Sequence, residues 1–586
     1  MLFLTKNKKS DYRIVIPANT TPSVNTAAQE LQKYICDISG AYLPIVWDNV
    51  PAEGKEICVG YTNRDSGICP CEAEKLGDEG YIIKTFGDNL YIYGSAVRGA
   101  LYGVYTFLEK FCNCRFYTFE FERIPKDDEI TVPDASLREV PVLEYRNAYW
   151  FSQSQEFISA KLKNNGWMGH DLTERVGGGI AYNGDFCHTL GYLSGLVKKG
   201  EGCWENPCLN DEERYQTTLA NVKADLRAHP ERKIISVSQL DGTEGECQCD
   251  KCKAVTEEEG SPAGNLIRFC NRLQEDIKDE FPDVRIDTLA YRFSRFAPKK
   301  AIPHEDMIVR LCNIECCFRH PLYECDDDPI DEKHFTVNLK KWSEISSHLY
   351  IWDYTTNFTN CSVPFPNFGA MRKNVRYFVE NGVTGIFEQG NIASYNGEWG
   401  ALRGYILCKL LWNPYMTEGE YRGLIEEFMD DYYGRGSEQM KELLKIEHEC
   451  TRNGHFGVYF DSTFYSMEYP YAKNSLEVKK FFLEKAFSLF EAAEAAAANQ
   501  PVCLANIRRA KIQAHNLKWF LQTDLEDEAK EAGDEARYQA ELAERARNNQ
   551  IQFGLMRDYG VTCNREFSEL DFTHEPKDWT STPIFW

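Results

Sequence analysis

The sequence predicts an α/β protein: a (β/α)8 TIM-type barrel preceded by a small α/β accessory domain and followed by an α-helical domain. Three observations carry this. Between about residues 140 and 412, short apolar runs alternate with helical stretches, the mark of repeated βα units. The first 135 residues mix strand-like runs, a hairpin signal and amphipathic helices, and beyond Trp412-Asn413-Pro414 the strand-like runs give way to long helical patterns. The expected limits are 1–135 for the accessory domain, 136–414 for the barrel and 415–586 for the helical domain.

Composition narrows the class of function. With 43% hydrophobic and 27% charged residues, the 586-residue chain is neither disordered, collagen-like nor a coiled coil. Acidic residues outnumber basic ones, 90 to 66, for a net charge of −24, which argues against holding nucleic acid or an anionic membrane by bulk charge. No apolar run reaches the roughly 18 residues of a membrane span. The apolar run in Met1-Leu2-Phe3-Leu4-Thr5-Lys6 is too short for a signal peptide, so a cytoplasmic location with reduced thiols is expected, or export if a leader was removed. Aromatic residues make up 13%, which suits sugar platforms as well as large cores.

In the accessory domain, Arg13-Ile14-Val15-Ile16 and Glu56 to Gly60 read as strands and Ala27 to Ile38 as an amphipathic helix. Tyr81 to Lys84 and Leu90 to Tyr93, separated by Gly87-Asp88-Asn89, read as a hairpin, and Arg98 to Glu109 as a helix packed on that sheet. The expected barrel strands are Leu143 to Phe151, Ile234 to Leu240, Arg285 to Tyr291, Ile308 to Glu315, Leu349 to Tyr354 and Val383 to Gln389. Two more short strands in the Gly/Asn-rich Asn164 to Leu193 make eight, with helices such as Ala263 to Glu280 and Phe368 to Asn381 between strands. The expected C-terminal helices are Glu418 to Tyr433, Ser437 to Thr451, Ser475 to Asn499, Val502 to Asp524 and Glu526 to Asn549.

In a βα barrel the carboxyl ends of the strands line the active-site face, so acids that follow apolar runs there are the first candidates. Asp241, Glu315, Asp353 and Glu388 meet that description. Paired carboxylates at one mouth are what glycoside hydrolysis needs: one donates a proton to the leaving oxygen and another stabilises the developing cationic sugar. The bland alternative is that one or two of them bond backbone NH groups or an arginine such as Arg310 or Arg146. Trp352, Tyr354, Asn357 and Tyr291 occupy neighbouring strand ends and offer aromatic faces and hydrogen bonds suited to a pyranose, and His188 joins the same mouth.

No phosphate-loop lysine, GxSxG or HExxH motif is present, and Gly177-Gly178-Gly179 lacks a dinucleotide-binding context. Cys247, Cys249 and Cys252 form the tightest cysteine group, but a fourth ligand, Cys270 or a histidine, has to come from afar, so no metal and no cofactor are expected. Asp326-Asp327-Asp328 lacks the glycine and terminal glutamate of a calcium loop and reads as a solvated loop.

These motifs resemble known families. Gly80-Tyr-Ile-Ile, Leu90 to Gly94, Arg98 to Glu109 and Cys114-Arg-Phe-Tyr117 resemble the accessory domain that precedes the barrel in β-hexosaminidases and α-glucuronidases. Ser236 to Asp241 with Cys247 to Cys252, Leu289-Ala-Tyr291, Ile314 to Cys317 with His320-Pro-Leu322, Trp352-Asp-Tyr354, Pro364 to Asn367 and Phe387 to Gly390 resemble the bacterial domain of unknown function 4838, the core of glycoside hydrolase family 163. The resemblance spans about residues 80 to 412. It implies a retaining endo-β-N-acetylglucosaminidase acting on N-glycan-type oligosaccharides, with the substrate's own 2-acetamido oxygen as nucleophile and no enzyme nucleophile or metal. The adjacent Asp-Glu pair of better-known hexosaminidases does not follow any strand here, so the acids come from different strands. Under this reading Glu315, Asp241 and Glu388 form the catalytic set: Glu315 is the general acid/base, Asp241 orients the acetamide, and Glu388 with Asp353 places sugar hydroxyls. The competing readings are an exo-acting β-hexosaminidase or α-glucuronidase-like enzyme, and a carbohydrate-binding barrel that has lost catalysis. The Tyr465 to Tyr471 aromatic loop is the C-terminal segment expected to reach the site.

Overall fold

The computed structural model describes residues 1–203, 205–241, 245–325, 334–458, 475–565 and 568–570. Two compact units form: Met1–Asn147 with Ser152–Ile180, and Ala148–Phe151 with Ala181–Trp586.

The first unit is built on a six-stranded sheet in the order Ser136–Glu139, Tyr81–Phe86, Asn89–Gly94, Lys55–Val59, Tyr12–Ile16, Ile45–Trp47. The expected hairpin is there, turning at Gly87 with φ 60°. The first helix, Pro22–Ser39, starts earlier than its apolar pattern suggested because Thr21 caps it and Pro22 occupies its first turn; it stops at Gly40, whose φ of 75° a side chain would disfavour. Gly103 lets the Gly99–Phe111 helix approach the sheet: a Cβ there would lie 2.8 Å from Ile92 Cγ2. Buried Glu79 pairs with Arg98 and Arg146, each at 2.8 Å. Burial alone would raise the Glu79 pKa, but the two guanidiniums hold it below the usual carboxylate value.

The second unit contains a seven-stranded sheet: β1 (Tyr145–Tyr149), β2 (Tyr182–Asn183), β3 (Ile234–Ser236), β4 (Arg285–Ala290), β5 (Ile308–Cys312), β6 (His348–Tyr354) and β7 (Val383–Gln389), with β1 being the strand in which the chain passes from the first unit to the second. The order is β1-β7-β6-β5-β4-β3-β2, and β2 to β7 pair in parallel. This is a half-barrel of the TIM type, one strand short of the expected eight. The Asn164 to Leu193 stretch yields one strand, β2, two residues long; a 3-10 turn at Glu174–Val176, a short helix at Leu190–Leu193 and glycines with positive φ at 169, 177, 178 and 184 interrupt the rest. Two expected strands are also shorter than their apolar runs. β3 ends at Ser236 rather than Leu240, and β5 at Cys312 rather than Glu315.

Alternation along the strands sorts the side chains by face. Asp287, Arg310, Trp352 and Phe387 share one face, where Arg310 pairs with Asp287 at 3.0 Å, both fully buried, and the Tyr182 hydroxyl donates to Asp287 at 3.1 Å. Thr288 lies on the other face, its hydroxyl beside the Cys270 thiol of the Ala263–Ile277 helix.

The helices after β7 are Gly400–Trp412, Glu418–Tyr433, Ser437–Cys450, Ser475–Ala496, Pro501–Glu531 and Glu535–Asp558. The break expected near Asp524 falls instead at Gly533, whose φ is 67°, so one helix runs 31 residues. Its Asn516 accepts from Asn360, fastening it to the loop after β6. A buried ion pair, Glu398 with Arg403, sits at the start of the Gly400–Trp412 helix, and the Trp399 indole N–H donates to Glu447 at 2.7 Å, joining that helix to Ser437–Cys450. Among the described residues no helix is long and apolar enough to cross a membrane.

Candidate active site

Asp241 follows β3, Tyr291 follows β4 and Glu315 follows β5, so three successive strands deliver them to the carboxyl end of the sheet. The segment from Val237 to Asp241 is not strand, yet nearly every polar group in it is engaged. Val237 N donates to Asp287 O at 2.8 Å, Ser238 N to Thr189 Oγ1 at 3.1 Å, and Leu240 N to Asn206 Oδ1 at 2.9 Å. The Gln239 amide donates to Tyr291 O at 3.0 Å, and the Tyr291 hydroxyl donates to Asp241 Oδ1 at 2.9 Å. Burial and the Asp241 charge push the Tyr291 phenol well above its ordinary pKa, so it remains a donor at any physiological pH. Asp241 itself is exposed, a solvent-facing carboxylate held by a buried phenol.

His188 has a left-handed backbone, φ 57°, and its Nδ1 lies 2.8 Å from Gln239 O. That bond makes Nδ1 the protonated nitrogen of the neutral ring and Nε2 the acceptor. The ring centre sits 6.2 Å from that of Tyr291, so His188, Tyr291 and Asp241 form one group, as expected.

Glu315 lies in a turn past the end of β5, its side chain 41% exposed, with Arg295 Nη1 3.2 Å from Oε2. The sequence did not flag Arg295. It follows the 3-10 turn Arg292–Ser294 at the end of β4, and its carbonyl accepts from the Trp342 indole at 2.7 Å.

Asp353 and Glu388 are brought together but differently from expectation. They are register partners on β6 and β7, 5% and 1% exposed, and share the sheet face of Ile351 and Ile386 rather than that of Trp352 and Phe387. Asp353 accepts from Asn313 at 2.7 Å and from Tyr354 N at 2.8 Å, whereas neither Glu388 oxygen receives an N–H or hydroxyl among the described residues. Burial raises the Asp353 pKa to about 6 against the pull of those donors. Burial and the adjacent Asp353 raise Glu388 much further. The two carboxyls therefore share a proton near neutrality, a buried acid pair instead of two groups open to a sugar.

Trp352 and Tyr354 are 8% and 4% exposed. Trp352 packs on Phe387 at 4.9 Å and Phe186 at 5.5 Å, and its indole N–H donates to Gln389 at 2.7 Å. Arg310 stacks over Phe186 at 4.1 Å, so this aromatic group roofs the Arg310–Asp287 pair. Asn357 is fully buried, and its Oδ1 accepts from Thr359 N at 2.8 Å, which makes it a turn former, contrary to the sugar-binding role expected of it. Neither arginine considered as a partner for the four acids plays that part: Arg310 holds Asp287 and Arg146 holds Glu79.

Two groups of metal-ligand side chains flank these loops. Cys247, Cys249 and Cys252 meet Cys208, which comes from upstream of the Glu212–Ala228 helix; neither Cys270 nor a histidine supplies the fourth group. Cys317, His320, Cys325 and His455 form the second, which the sequence did not reveal. Asp326 to Asp328 and the Tyr465 to Tyr471 loop lie outside the described residues.

A half-barrel with carboxylates gathered beyond adjacent strand ends is the architecture of TIM-like glycosidases. Residues 116–445, more than half of the chain, match the family described as Domain of unknown function (DUF4838), and the chain belongs to that family. Residues 4–107 match the model described as Glycosyl hydrolase family 67 N-terminus. No curated protein matches the chain. Among solved structures, "A novel family GH115 4-O-Methyl-alpha-glucuronidase, BtGH115A, with specificity for decorated arabinogalactans" is 11% identical and superposes with a TM-score of 0.59 over 97% of this chain and 81% of its own. The likeness is one of fold. A "GH138 enzyme targeting pectin rhamnogalacturonan II" covers 94% of this chain and 93% of its own at 10% identity and TM-score 0.45. "Structure of CpGH84B" covers 93% of each at 11% identity and TM-score 0.46.

Proposed function

We propose that the protein is a glycoside hydrolase, and specifically a retaining endo-β-N-acetylglucosaminidase that cleaves N-glycan-type oligosaccharides with the substrate's acetamido oxygen as nucleophile. The observation that carries the reading is that two exposed carboxylates, Asp241 and Glu315, stand beyond β3 and β5, the strands either side of β4, with the phenol of Tyr291, which follows β4, donating to Asp241. Substrate-assisted hydrolysis asks one carboxylate to accept the acetamide N–H. Asp241, oriented by the Tyr291 hydroxyl that donates to its Oδ1, offers its other oxygen to that N–H. The other must protonate the leaving oxygen, and Glu315, held by Arg295 through Oε2, keeps Oε1 for that transfer. His188 Nε2 is placed to accept a sugar hydroxyl in the same group. The family 67 N-terminal match and the GH115 fold support a carbohydrate substrate.

The test is mass spectrometry of products from N-glycans, free N-glycan oligosaccharides and aryl-β-N-acetylglucosaminide with the wild type, Glu315→Gln and Asp241→Asn. Fragments ending in N-acetylglucosamine from the wild type alone support the reading. An aryl substrate with a 2-hydroxyl in place of the acetamide should not turn over. Equal cleavage by wild type and Glu315→Gln removes Glu315 from the acid role.

The fold shared with an α-glucuronidase favours one second reading, an exo-acting α-glucuronidase-like enzyme. It predicts release of a terminal uronic acid from aryl or xylo-oligosaccharide α-glucuronides and no endo cleavage.

A further inference from the structure

We propose that the chain carries two tetrahedral zinc sites, a tetrathiolate at Cys208, Cys247, Cys249 and Cys252 and a Cys2His2 site at Cys317, His320, Cys325 and His455. The inference is independent of the hydrolase reading.

In each group the four ligand atoms all lie within 4.8 Å of one another. The spacing is that of a coordination tetrahedron. Zinc–sulfur bonds of about 2.3 Å at tetrahedral angles set sulfur atoms about 3.8 Å apart, and a zinc–nitrogen bond of about 2.05 Å sets sulfur and nitrogen about 3.6 Å apart. Cys208 Sγ lies 3.6 Å from Cys249 Sγ and 3.7 Å from Cys252 Sγ. Cys317 Sγ lies 3.6 Å from His320 Nδ1, and Cys325 Sγ 3.5 Å from His455 Nδ1. A disulfide would bring two sulfurs to about 2 Å and leave the other two behind.

The surroundings are those of ligands held in place. Cys249 is the N-cap residue of the Asp250–Glu259 helix and Cys252 lies in its first turn, so both sulfurs sit on the one rigid helix end. The Asn210 amide donates to Cys252 Sγ at 3.3 Å. In the second group, His320 Nε2 donates to Arg452 O at 2.9 Å, which fixes the tautomer and leaves Nδ1 as the ligand nitrogen.

Each site ties together parts of the chain that secondary structure leaves apart. The tetrathiolate joins the segment before the Glu212–Ala228 helix to the loop after β3, backing the segment that ends in Asp241; Asn206, close in sequence to Cys208, bonds both Leu240 N and Gly245 O. The Cys2His2 site joins the loop after β5, just beyond Glu315, to the segment after the Ser437–Cys450 helix. The chain is fastened there again by Phe318 N to Phe456 O at 2.9 Å and by Arg319 to Thr451 O and His448 O.

Binding exchanges the thiol protons for the cation, the protons leaving to solvent. Full-length protein produced with zinc in the medium and dialysed should contain about two zinc atoms per chain by elemental mass spectrometry. Cys208→Ser and His455→Ala should each hold about one, and the double variant none. A mercurial titration of the wild type, followed with a zinc-sensitive dye, reads the same stoichiometry without relying on any variant folding: two equivalents released as the thiols are consumed support both sites. Cobalt(II) reconstitution should give thiolate charge-transfer and tetrahedral ligand-field bands that weaken by site in the two variants. No zinc, or a Cys208 disulfide in the peptide map, overturns the proposal. Two zinc atoms that persist in Cys208→Ser overturn the tetrathiolate, two that persist in His455→Ala overturn the Cys2His2 site, and iron in place of zinc overturns the metal assignment.

Discussion

Replacing Glu388 by glutamine should flatten the pH dependence of the protein's stability. In the wild type the Asp353–Glu388 pair holds protons at pH values where an unfolded chain has released them. A carboxyl whose folded pKa is raised stabilises the fold fully below its unfolded pKa, and that stabilisation is lost as pH climbs through the folded value. For Asp353 the window runs from 3.8 to about 6. At 1.36 kcal/mol per tenfold, that window is worth about 3 kcal/mol, with Glu388 adding in the same direction. Glutamine at 388 removes the acid whose folded pKa is raised furthest, while its amide keeps the donor that protonated Glu388 offers Asp353. Asp353, raised by burial, keeps its own window, so the loss of stability between pH 4 and 7 should shrink to the roughly 3 kcal/mol that Asp353 contributes. Chemical denaturation of both proteins across that range reads the difference. Infrared spectroscopy reads it directly, since at pH 7, above the Asp353 range, the wild type should keep a protonated-carboxyl stretch that Glu388→Gln lacks. Parallel stability curves, or no such band, would refute the shared proton.

Tyr291→Phe keeps the ring's volume and removes the donor to Asp241; losing one charge-assisted hydrogen bond of about 1.5–3 kcal/mol should lower kcat/KM about 10- to 100-fold with folding intact, read by steady-state kinetics and circular dichroism. Asp287→Asn strands the fully buried Arg310 charge and should cost about 3–5 kcal/mol, seen as a lower denaturation midpoint, whereas a paired apolar replacement of both residues should cost far less. Gly103→Val puts a branched side chain where even a Cβ would stand 2.8 Å from Ile92, and should destabilise the first unit by about 1–3 kcal/mol, with proteolysis rising there first. Asn357→Ala should lower stability by about 1 kcal/mol through its lost turn bonds while leaving KM for oligosaccharide unchanged, separating a turn former from a sugar ligand.

Much of the molecule was legible in one dimension. Local periodicity marks the Tyr81–Phe86/Asn89–Gly94 hairpin, the Gly99–Phe111 helix and six of the seven sheet strands, because those elements bury a face whose repeat is written in neighbouring residues. The grouping of His188, Tyr291 and Asp241 was legible too, since barrel topology sends successive strand ends to one rim. What the sequence did not show depends on contacts between distant residues. Apolar runs overstated β3 and β5, since hydrophobicity continues into buried coil such as Val237 and Leu240, so Asp241 and Glu315 stand on loops. Asp353 and Glu388 looked equivalent to them, but strand alternation and the β6–β7 register put that pair on the face of Ile351 and Ile386, away from Trp352 and Phe387, a distinction of one residue in phase that composition does not record. Asn357 looked like a sugar ligand until the turn that uses its oxygen was visible. Cys208 and His455 became partners of Cys252 and Cys325 only once the chain had closed loops of dozens of residues. A sequence carries strong signals for local order, whereas the meeting of ligands across such loops is decided by the packed tertiary structure.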